Sequence, residues 1–224
     1  MRATAPPDAG VAVAPEAPAG VERIAVPKDS PASIVRGPDG VAPHIVFMPG
    51  LCSNAYAYLL SFPEAARAHG GVVAIDGDQA CGDLKDFHSF SWSATLQRKR
   101  VEAALAAAGV GKAPGEGFTL VGYSAGASIA ELMHQRWPDL FRRLVLIAPP
   151  ADPSIDRLRT ARAVVSMSCS LDVPYRMKQA TRSLSAAHVA SIYLEMPKCT
   201  HGQIADGERV FDEAFDWLDA QGVD

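Results

Sequence analysis

Three observations predict an α/β fold for this chain: apolar strand patterns alternate with helical patterns, the later strands are apolar throughout, and the length suits one domain. The chain has 224 residues, 48% of them hydrophobic, and its mean hydropathy is +0.05. Continuous runs of Val, Ile and Leu are typical of strands buried on both faces of a parallel sheet. The sequence therefore predicts a doubly wound, mostly parallel eight-stranded sheet with helices on both faces.

Eight segments have the length and apolar character of strands, at residues 23–26, 33–35, 44–48, 72–75, 118–121, 144–147, 163–168 and 191–195. Helical patterns alternate with them, at residues 54–68, 93–108, 125–136, 175–187 and 208–221. Ser53 is the predicted cap of the first helix, and Gly109 is the predicted stop of the second.

The first twenty residues differ in composition from the rest of the chain. They are rich in Ala, Pro and Gly and have no hydrophobic period, which is typical of a flexible linker. We expect residues 1–20 to be a flexible leader and residues 21–224 to form one folded domain. The net charge of −4 argues against binding to nucleic acid. The sequence predicts no transmembrane span, since it contains no apolar run of about 18 residues.

One serine lies between two glycines, where a predicted strand meets a predicted helix. The segment Gly122-Tyr123-Ser124-Ala125-Gly126 fits the pattern G-x-S-x-G. In this context the pattern predicts a nucleophile elbow, a sharp turn that holds the serine hydroxyl at the carboxyl edge of the sheet. Side chains larger than those of small residues would collide there with the strand and the helix. The alternative is an ordinary strand–helix turn with incidental glycines.

With this motif in its strand–helix context, the chain resembles an α/β-hydrolase over residues 21–221. The resemblance implies the α/β-hydrolase fold, with residues 21–224 as its catalytic domain, and a triad in the order nucleophile, acid, histidine. Ser124 matches the nucleophile, and His201 matches the histidine, because it lies between the last predicted strand and the last helix. Many relatives insert a lid between the sixth and seventh strands. Here residues 148–163 leave room for only a short helix, so we expect no cap domain.

Two aspartates compete for the acid position that the resemblance implies. Asp172 follows the seventh predicted strand, in "SCSLDVPY". Relatives commonly have a Gly-x-x-Asp-x-x-Val-Pro pattern there, whereas this chain lacks the glycine and Asp172 directly precedes Val173 and Pro174. We therefore expect a differently shaped loop. Asp152 follows the sixth strand, a position that some relatives use; its alternative role is that of a turn residue. We favour Asp172.

The resemblance also implies an oxyanion hole, two backbone N–H groups that stabilise developing negative charge. One belongs to Ala125, directly after the nucleophile. The other belongs to the loop after the third strand, where relatives often have His-Gly and this chain has Pro49-Gly50. The matching donor is Leu51, with Cys52 next in line.

Several aromatic and histidine side chains are candidates for contact with a substrate. They lie in the elbow, in the helix after the oxyanion loop, or in the long loop after the fourth strand. For each aromatic, packing in the core or on the surface is an equal alternative. The candidates are Tyr123, Tyr56, Tyr58, Phe87, His88, Phe90 and Trp92.

The resembled sheet order suggests a pairing for the four cysteines. It makes the third and fourth strands neighbours, and also the seventh and eighth, so it implies disulfides Cys52–Cys81 and Cys169–Cys199. The second would join the loops that carry the acid and the base. Disulfides would place the protein in the periplasm or outside the cell. The composition of the leader is also compatible with attachment to a membrane through a removed N-terminal signal. Four free thiols in a cytoplasmic enzyme are the alternative.

The implied activity is that of a serine hydrolase that cleaves carboxylic esters through an acyl-enzyme, with no metal and no organic cofactor. Without a cap the site would be open to a small-molecule or a polymeric ester. Two other classes stay open at this point: a serine peptidase or amidase on the same fold, and a non-catalytic binding protein with a vestigial triad. The sequence gives no indication of oligomeric state.

Overall fold

The computed structural model describes residues 20–39 and 41–221, so the predicted leader lies outside the described residues except for Gly20. Within them the strands are β1 (Val21–Ile24), β2 (Ala32–Arg36), β3 (Ile45–Met48), β4 (Gly71–Ala74), β5 (Gln79–Cys81), β6 (Leu84–Ser89), β7 (Thr119–Tyr123), β8 (Arg143–Ile147), β9 (Ala163–Cys169) and β10 (Ala190–Met196). The helices are α1 (Ala55–Leu59), α2 (Pro63–Ala68), α3 (Ala94–Ala107), α4 (Ala125–Arg136), α5 (Ile155–Leu158), α6 (Pro174–Ala186) and α7 (Gly207–Ala220).

Eight of these strands form one sheet in the order β1-β2-β4-β3-β7-β8-β9-β10. Strand β2 runs antiparallel to both β1 and β4, and all the other pairs are parallel. Strands β3, β7, β8 and β9 are buried along their whole length, as their continuous apolar sequences predict. The predicted mostly parallel eight-stranded sheet is confirmed.

Helices cover both faces of the sheet. On one face, α1, α2 and α7 pack on side chains such as Phe47 and Val121. Phe62 and Phe211 stack there, with their ring centroids 3.8 Å apart. On the other face, α3, α4, α5 and α6 contribute to a second cluster that contains the alternate strand residues, such as Val46. The alternation of side chains along each strand thus supplies both apolar layers.

Two details of the predicted helices were wrong. The helix predicted over residues 54–68 is two helices, because Pro63 occupies the first turn of α2, where its missing N–H does no harm, and so starts a new helix. Asn54, not Ser53, caps α1: its side-chain oxygen accepts from the Ala57 N–H at 3.0 Å. The other helices lie within one residue of their predicted bounds, and Gly109 adopts a φ of 89° after α3, as a helix stop requires.

The loop predicted after β4 contains a two-stranded hairpin, β5–β6, that the sequence did not predict. Its residues are mostly exposed, so the apolar alternation that marks a half-buried strand is missing. Between β8 and β9, this described segment contains only the short helix α5 and no cap domain, as predicted. Among the described residues, no helix has the length and apolarity needed to cross a bilayer.

Candidate active site

The candidate active site lies at the carboxyl edge of the parallel strands. Because β3, β7, β9 and β10 all run in the same direction, the loops that follow them meet at one edge of the sheet. Those loops carry Leu51, Ser124, Asp172 and His201 respectively. The topology therefore brings together four residues that the sequence separates by up to 150 positions.

Ser124 sits in a sharp turn between β7 and α4. Its backbone has φ 51° and ψ −116°, a combination that non-glycine residues seldom adopt and that the surrounding structure must hold in place. The Ser124 N–H donates to the Ile147 carbonyl at 2.8 Å, and the Ser124 carbonyl accepts from the Ala127 N–H at 3.0 Å. This is the conformation expected of a nucleophile elbow.

Both glycines of the motif are required by close backbone contacts. A Cβ at Gly122 would overlap the backbone of Ala127, and a Cβ at Gly126 would overlap the carbonyl oxygens of Met48 and Pro49. A side chain at either position would therefore force the strand, the helix or the oxyanion loop apart. The alternative of incidental glycines in an ordinary turn is not supported.

Ser124, His201 and Asp172 form one hydrogen-bonded chain. The His201 Nε2 lies 3.0 Å from the Ser124 Oγ, and the His201 Nδ1 lies 2.7 Å from the Asp172 Oδ2. Because a carboxylate only accepts hydrogen bonds, Nδ1 carries the imidazole proton and Nε2 faces the serine hydroxyl as an acceptor. The Asp172 side chain is 11% exposed and that of His201 is 48% exposed. A buried carboxylate that holds a more exposed imidazole against a serine hydroxyl is an arrangement suited to proton transfer.

Asp152, the rival acid, lies elsewhere. Its side chain is 77% exposed and its Oδ1 lies 3.4 Å from the Arg176 Nε. The loop that carries Asp172 is a tight turn, in which the Asp172 N–H donates to the Cys169 carbonyl at 3.1 Å. This turn brings the carboxylate to His201 without the glycine that relatives have at the start of the loop.

The four cysteines form two disulfides, Cys52–Cys81 with a Cα–Cα distance of 5.5 Å and Cys169–Cys199 with 5.1 Å. These are the pairs that the sequence suggested. The second lies directly behind the triad, since Asp172 and His201 follow its two cysteines by three and two residues. Backbone bonds from Leu171 N–H to the Cys199 carbonyl and from Ser170 N–H to the Met196 carbonyl join the same two loops.

Two backbone amides next to Ser124 are the candidates for the predicted oxyanion hole. Ala125 is the first residue of α4, so its N–H has no intrahelical acceptor. In the loop after β3, the Cys52 N–H donates to the Ser89 Oγ at 3.1 Å. That leaves Leu51, whose N–H has no partner in the part of the chain described here. A Cβ at Gly50 would lie 3.1 Å from the Ser124 Cβ, so this glycine lets the loop approach the nucleophile.

Two tyrosines support the loop that carries the histidine. The Tyr123 hydroxyl accepts from the Gly202 N–H at 2.7 Å and donates to the Gln203 carbonyl at 3.4 Å. The Tyr58 hydroxyl donates to the Gly202 carbonyl at 3.0 Å. The Tyr123 ring packs edge-on against the imidazole of His201, with the centroids 5.5 Å apart. Tyr123 is buried, and this burial raises the pKa of its phenol to about 12.

The other candidates for contact with a substrate have different surroundings. Tyr56 lies under the guanidinium of Arg23, at 5.3 Å from the ring centroid. His88 forms an antiparallel bridge with Ser53. Trp92 is 64% exposed and lines a separate groove near the end of α4. Phe87, by contrast, lies beside the oxyanion loop. Sequence reasoning found no signal for the roles of Tyr58 and Tyr123, because their partners are distant in the chain.

Replacing Tyr123 with phenylalanine is expected to lower kcat for an ester substrate about fivefold and to change KM little. The variant keeps the buried ring but loses both hydrogen bonds to the backbone beside His201; the bond of 2.7 Å from the Gly202 N–H is much the shorter, and one such bond contributes about 1 kcal/mol. Steady-state kinetics would measure the effect. Tyr193→Phe is the control, since the Tyr193 hydroxyl bonds Ser168 and Glu195 instead. Equal losses in both variants would contradict a specific role for Tyr123.

Comparison with known proteins agrees with the fold. The sequence model of the alpha/beta hydrolase family matches residues 45–221, most of the chain. The protein therefore belongs to the alpha/beta hydrolase family, and the predicted α/β-hydrolase resemblance is confirmed. No match was found among the curated proteins.

Solved structures with a similar fold include several esterases. Carboxylesterase CesB from Bacillus subtilis has a TM-score of 0.66 at 14% identity, over 92% of this chain and 94% of that one. Naproxen esterase from Bacillus subtilis has a TM-score of 0.64 at 12% identity, over 90% and 92%. An esterase from Pyrobaculum calidifontis has a TM-score of 0.62 at 15% identity, over 91% and 86%. At these identities the likeness is one of fold.

Proposed function

We propose that the protein is a serine hydrolase that cleaves carboxylic esters through an acyl-enzyme. Ser124 is the nucleophile, His201 the general base and acid, and Asp172 the residue that orients the imidazole. The observation that carries this proposal is the unbroken hydrogen-bonded chain from Asp172 through His201 to Ser124, with contacts of 2.7 and 3.0 Å. It is supported by family membership and by the strained backbone of Ser124.

In the first half of the reaction, His201 Nε2 takes the proton of the Ser124 hydroxyl while Oγ attacks the ester carbonyl carbon. The negative oxygen of the tetrahedral intermediate accepts from the N–H groups of Leu51 and Ala125. The bond to the alcohol oxygen then breaks, and the imidazolium gives its proton to the departing alkoxide. Asp172 stabilises the imidazolium and keeps Nε2 directed at the serine.

In the second half, water replaces the alcohol. His201 Nε2 takes a proton from the water molecule while the water oxygen attacks the acyl carbon. The same two N–H groups stabilise the second tetrahedral intermediate. When the intermediate collapses, the proton returns from the imidazolium to Ser124 Oγ, and the carboxylic acid leaves. The protein groups thereby return to their starting protonation states.

Esters are the favoured substrate class for two reasons. Several proteins that share the fold are described as esterases, and no described element forms a cap over the site, which leaves room for small-molecule and polymeric esters. Paired ester and amide substrates with the same acyl group would separate esterase from peptidase or amidase activity.

We further propose a periplasmic or extracellular location, with residues 21–224 as the catalytic domain. Two disulfides beside the site are stable only where thiols are not kept reduced.

The decisive test is intact mass spectrometry after incubation with a fluorophosphonate. This reagent reacts with a serine only when a base and an oxyanion site activate it. One adduct is expected on the wild-type protein and none on Ser124→Ala. An adduct that persists on Ser124→Ala would assign the nucleophile to another residue. A wild-type protein that forms no adduct would overturn the proposal.

A further inference from the structure

We propose that the groove between the β5–β6 hairpin and helix α1 binds the alcohol part of the ester as a neutral, apolar group, and that Phe87 is the main determinant of this selectivity. This inference rests on the proposed ester hydrolysis and names the substrate class of the same site. We call this feature the hairpin groove. Its walls include Leu51, Ala57, Tyr58, Phe87, Gly202 and Ile204.

The hairpin groove adjoins the proposed catalytic groups. One of its lining residues, Leu51, supplies a proposed oxyanion donor, and another, Gly202, follows His201 in the chain. The side of the ester that enters the groove follows from the chemistry. His201 must give its proton to the departing alkoxide, so the alcohol lies on the histidine side of Ser124. Because Gly202 and Ile204 line that side, the groove receives the alcohol rather than the acyl chain.

The lining of the hairpin groove suits an uncharged group that has an apolar surface to place against Phe87 and Leu51. Among the described residues that line it, none is charged; those with polar side chains are Ser53, Asn54, Tyr58 and Ser61, and the large apolar ones are Leu51, Phe87 and Ile204. Phe87 is 42% exposed and Leu51 is 69% exposed, so two large apolar side chains of the lining face solvent. The volume is 430 Å³, within the range of sites for small molecules. A benzyl or phenylethyl group would cover Phe87 and remove its apolar surface from water.

The hairpin that carries Phe87 is fixed to the oxyanion loop. The Cys52–Cys81 disulfide joins β5 to that loop. Ser53 and His88 exchange two backbone hydrogen bonds, of 3.1 and 3.0 Å, one residue from Phe87. The Asn54 side chain donates to the Asp86 carbonyl at 2.8 Å. The position of the Phe87 ring is therefore coupled to the position of the Leu51 amide, as a selectivity wall requires.

The test uses two series of esters on the purified protein. One series holds the acetyl group constant and varies the alcohol through methanol, butanol, benzyl alcohol and 2-phenylethanol, which leave as alkoxides of similar basicity. The other holds methanol constant and varies the acyl chain. The wild-type protein is expected to prefer the arylalkyl alcohols in kcat/KM. Phe87→Ala should lower the benzyl-to-methyl ratio about tenfold and leave the acyl series unchanged.

Two further variants keep the test sharp. Trp92→Ala removes another exposed aromatic side chain, which lines a different groove, and should leave the benzyl-to-methyl ratio unchanged. Ala57→Phe adds bulk from the exposed side of α1 without touching the hairpin, and should lower kcat/KM for the large alcohols only. If Phe87→Ala fails to fold, Ala57→Phe decides the matter.

Fluorophosphonate labelling of every variant separates this inference from the proposed function. A wild-type protein that is neither labelled nor active on any ester would overturn the proposed function and this inference with it. A wild-type protein that is labelled and active, with an unchanged benzyl-to-methyl ratio in folded Phe87→Ala or Ala57→Phe, would overturn the hairpin-groove assignment alone. A change confined to the acyl series would overturn it as well.

Discussion

Replacing Asp172 with asparagine is expected to lower kcat for an ester substrate by about four orders of magnitude. The carboxylate accepts the Nδ1 proton at 2.7 Å and so keeps Nε2 free to accept from Ser124. An amide in its place can donate to Nδ1 instead, which would move the imidazole proton to Nε2, where it cannot act as a base. The same change removes the negative charge that stabilises the imidazolium. Steady-state kinetics against the wild-type protein would measure the loss.

Asp152→Asn provides the matched control for Asp172→Asn. Asp152 also follows a sheet strand at the carboxyl edge, but it pairs with Arg176 and is largely exposed. We expect its kcat to stay within about twofold of the wild-type value, because exposed ion pairs contribute little. If Asp152→Asn were the inactive variant and Asp172→Asn the active one, the acid assignment would have to be exchanged.

The parts of this protein that the sequence predicted are those that depend on local patterns. Continuous apolar runs predicted the buried strands, and α4 begins and ends where its pattern predicts. The sequence predicted the elbow because its motif, with the two glycines Gly122 and Gly126 that close contacts require, lies within five consecutive residues. The order of Asp172 and His201 after Ser124 then followed from family resemblance.

The parts that the sequence did not predict depend on contacts between distant segments. The β5–β6 hairpin is held by backbone hydrogen bonds to the oxyanion loop rather than by a buried apolar face. Its sequence therefore lacks the alternation of apolar and polar residues that predicts a strand. The hydrogen bond from the Cys52 N–H to the Ser89 Oγ, which engages the amide of the alternative donor, joins residues that lie far apart in the chain. The hydrogen bonds of the Tyr58 and Tyr123 hydroxyls to the backbone of Gly202 likewise join residues that are far apart in the sequence. Such contacts exist only once the sheet has formed.

Replacing both Cys169 and Cys199 with alanine is expected to lower the free energy of unfolding by about 3.6 kcal/mol and kcat by about tenfold. The first effect arises because the open chain has more conformational freedom when unfolded. The second arises in the folded state, since this disulfide ties together the loops that hold Asp172 and His201. Urea unfolding and ester kinetics, measured well below the unfolding temperature, would separate the two effects.

The chain contains a closely matched control for this prediction. The two disulfides span sequence separations of 29 and 30 residues, so the chain-entropy argument predicts nearly the same loss of stability for Cys52→Ala with Cys81→Ala. Its kinetic effect should differ, because that disulfide fixes the hairpin and not the triad loops: selectivity for the alcohol should fall more than the rate with methyl esters. Removal of Cys169–Cys199 should instead slow all esters alike. Equal stability losses with no change of kcat in either variant would show that the disulfides act on the unfolded chain only, and that the hydrogen bonds between the loops suffice to hold the triad.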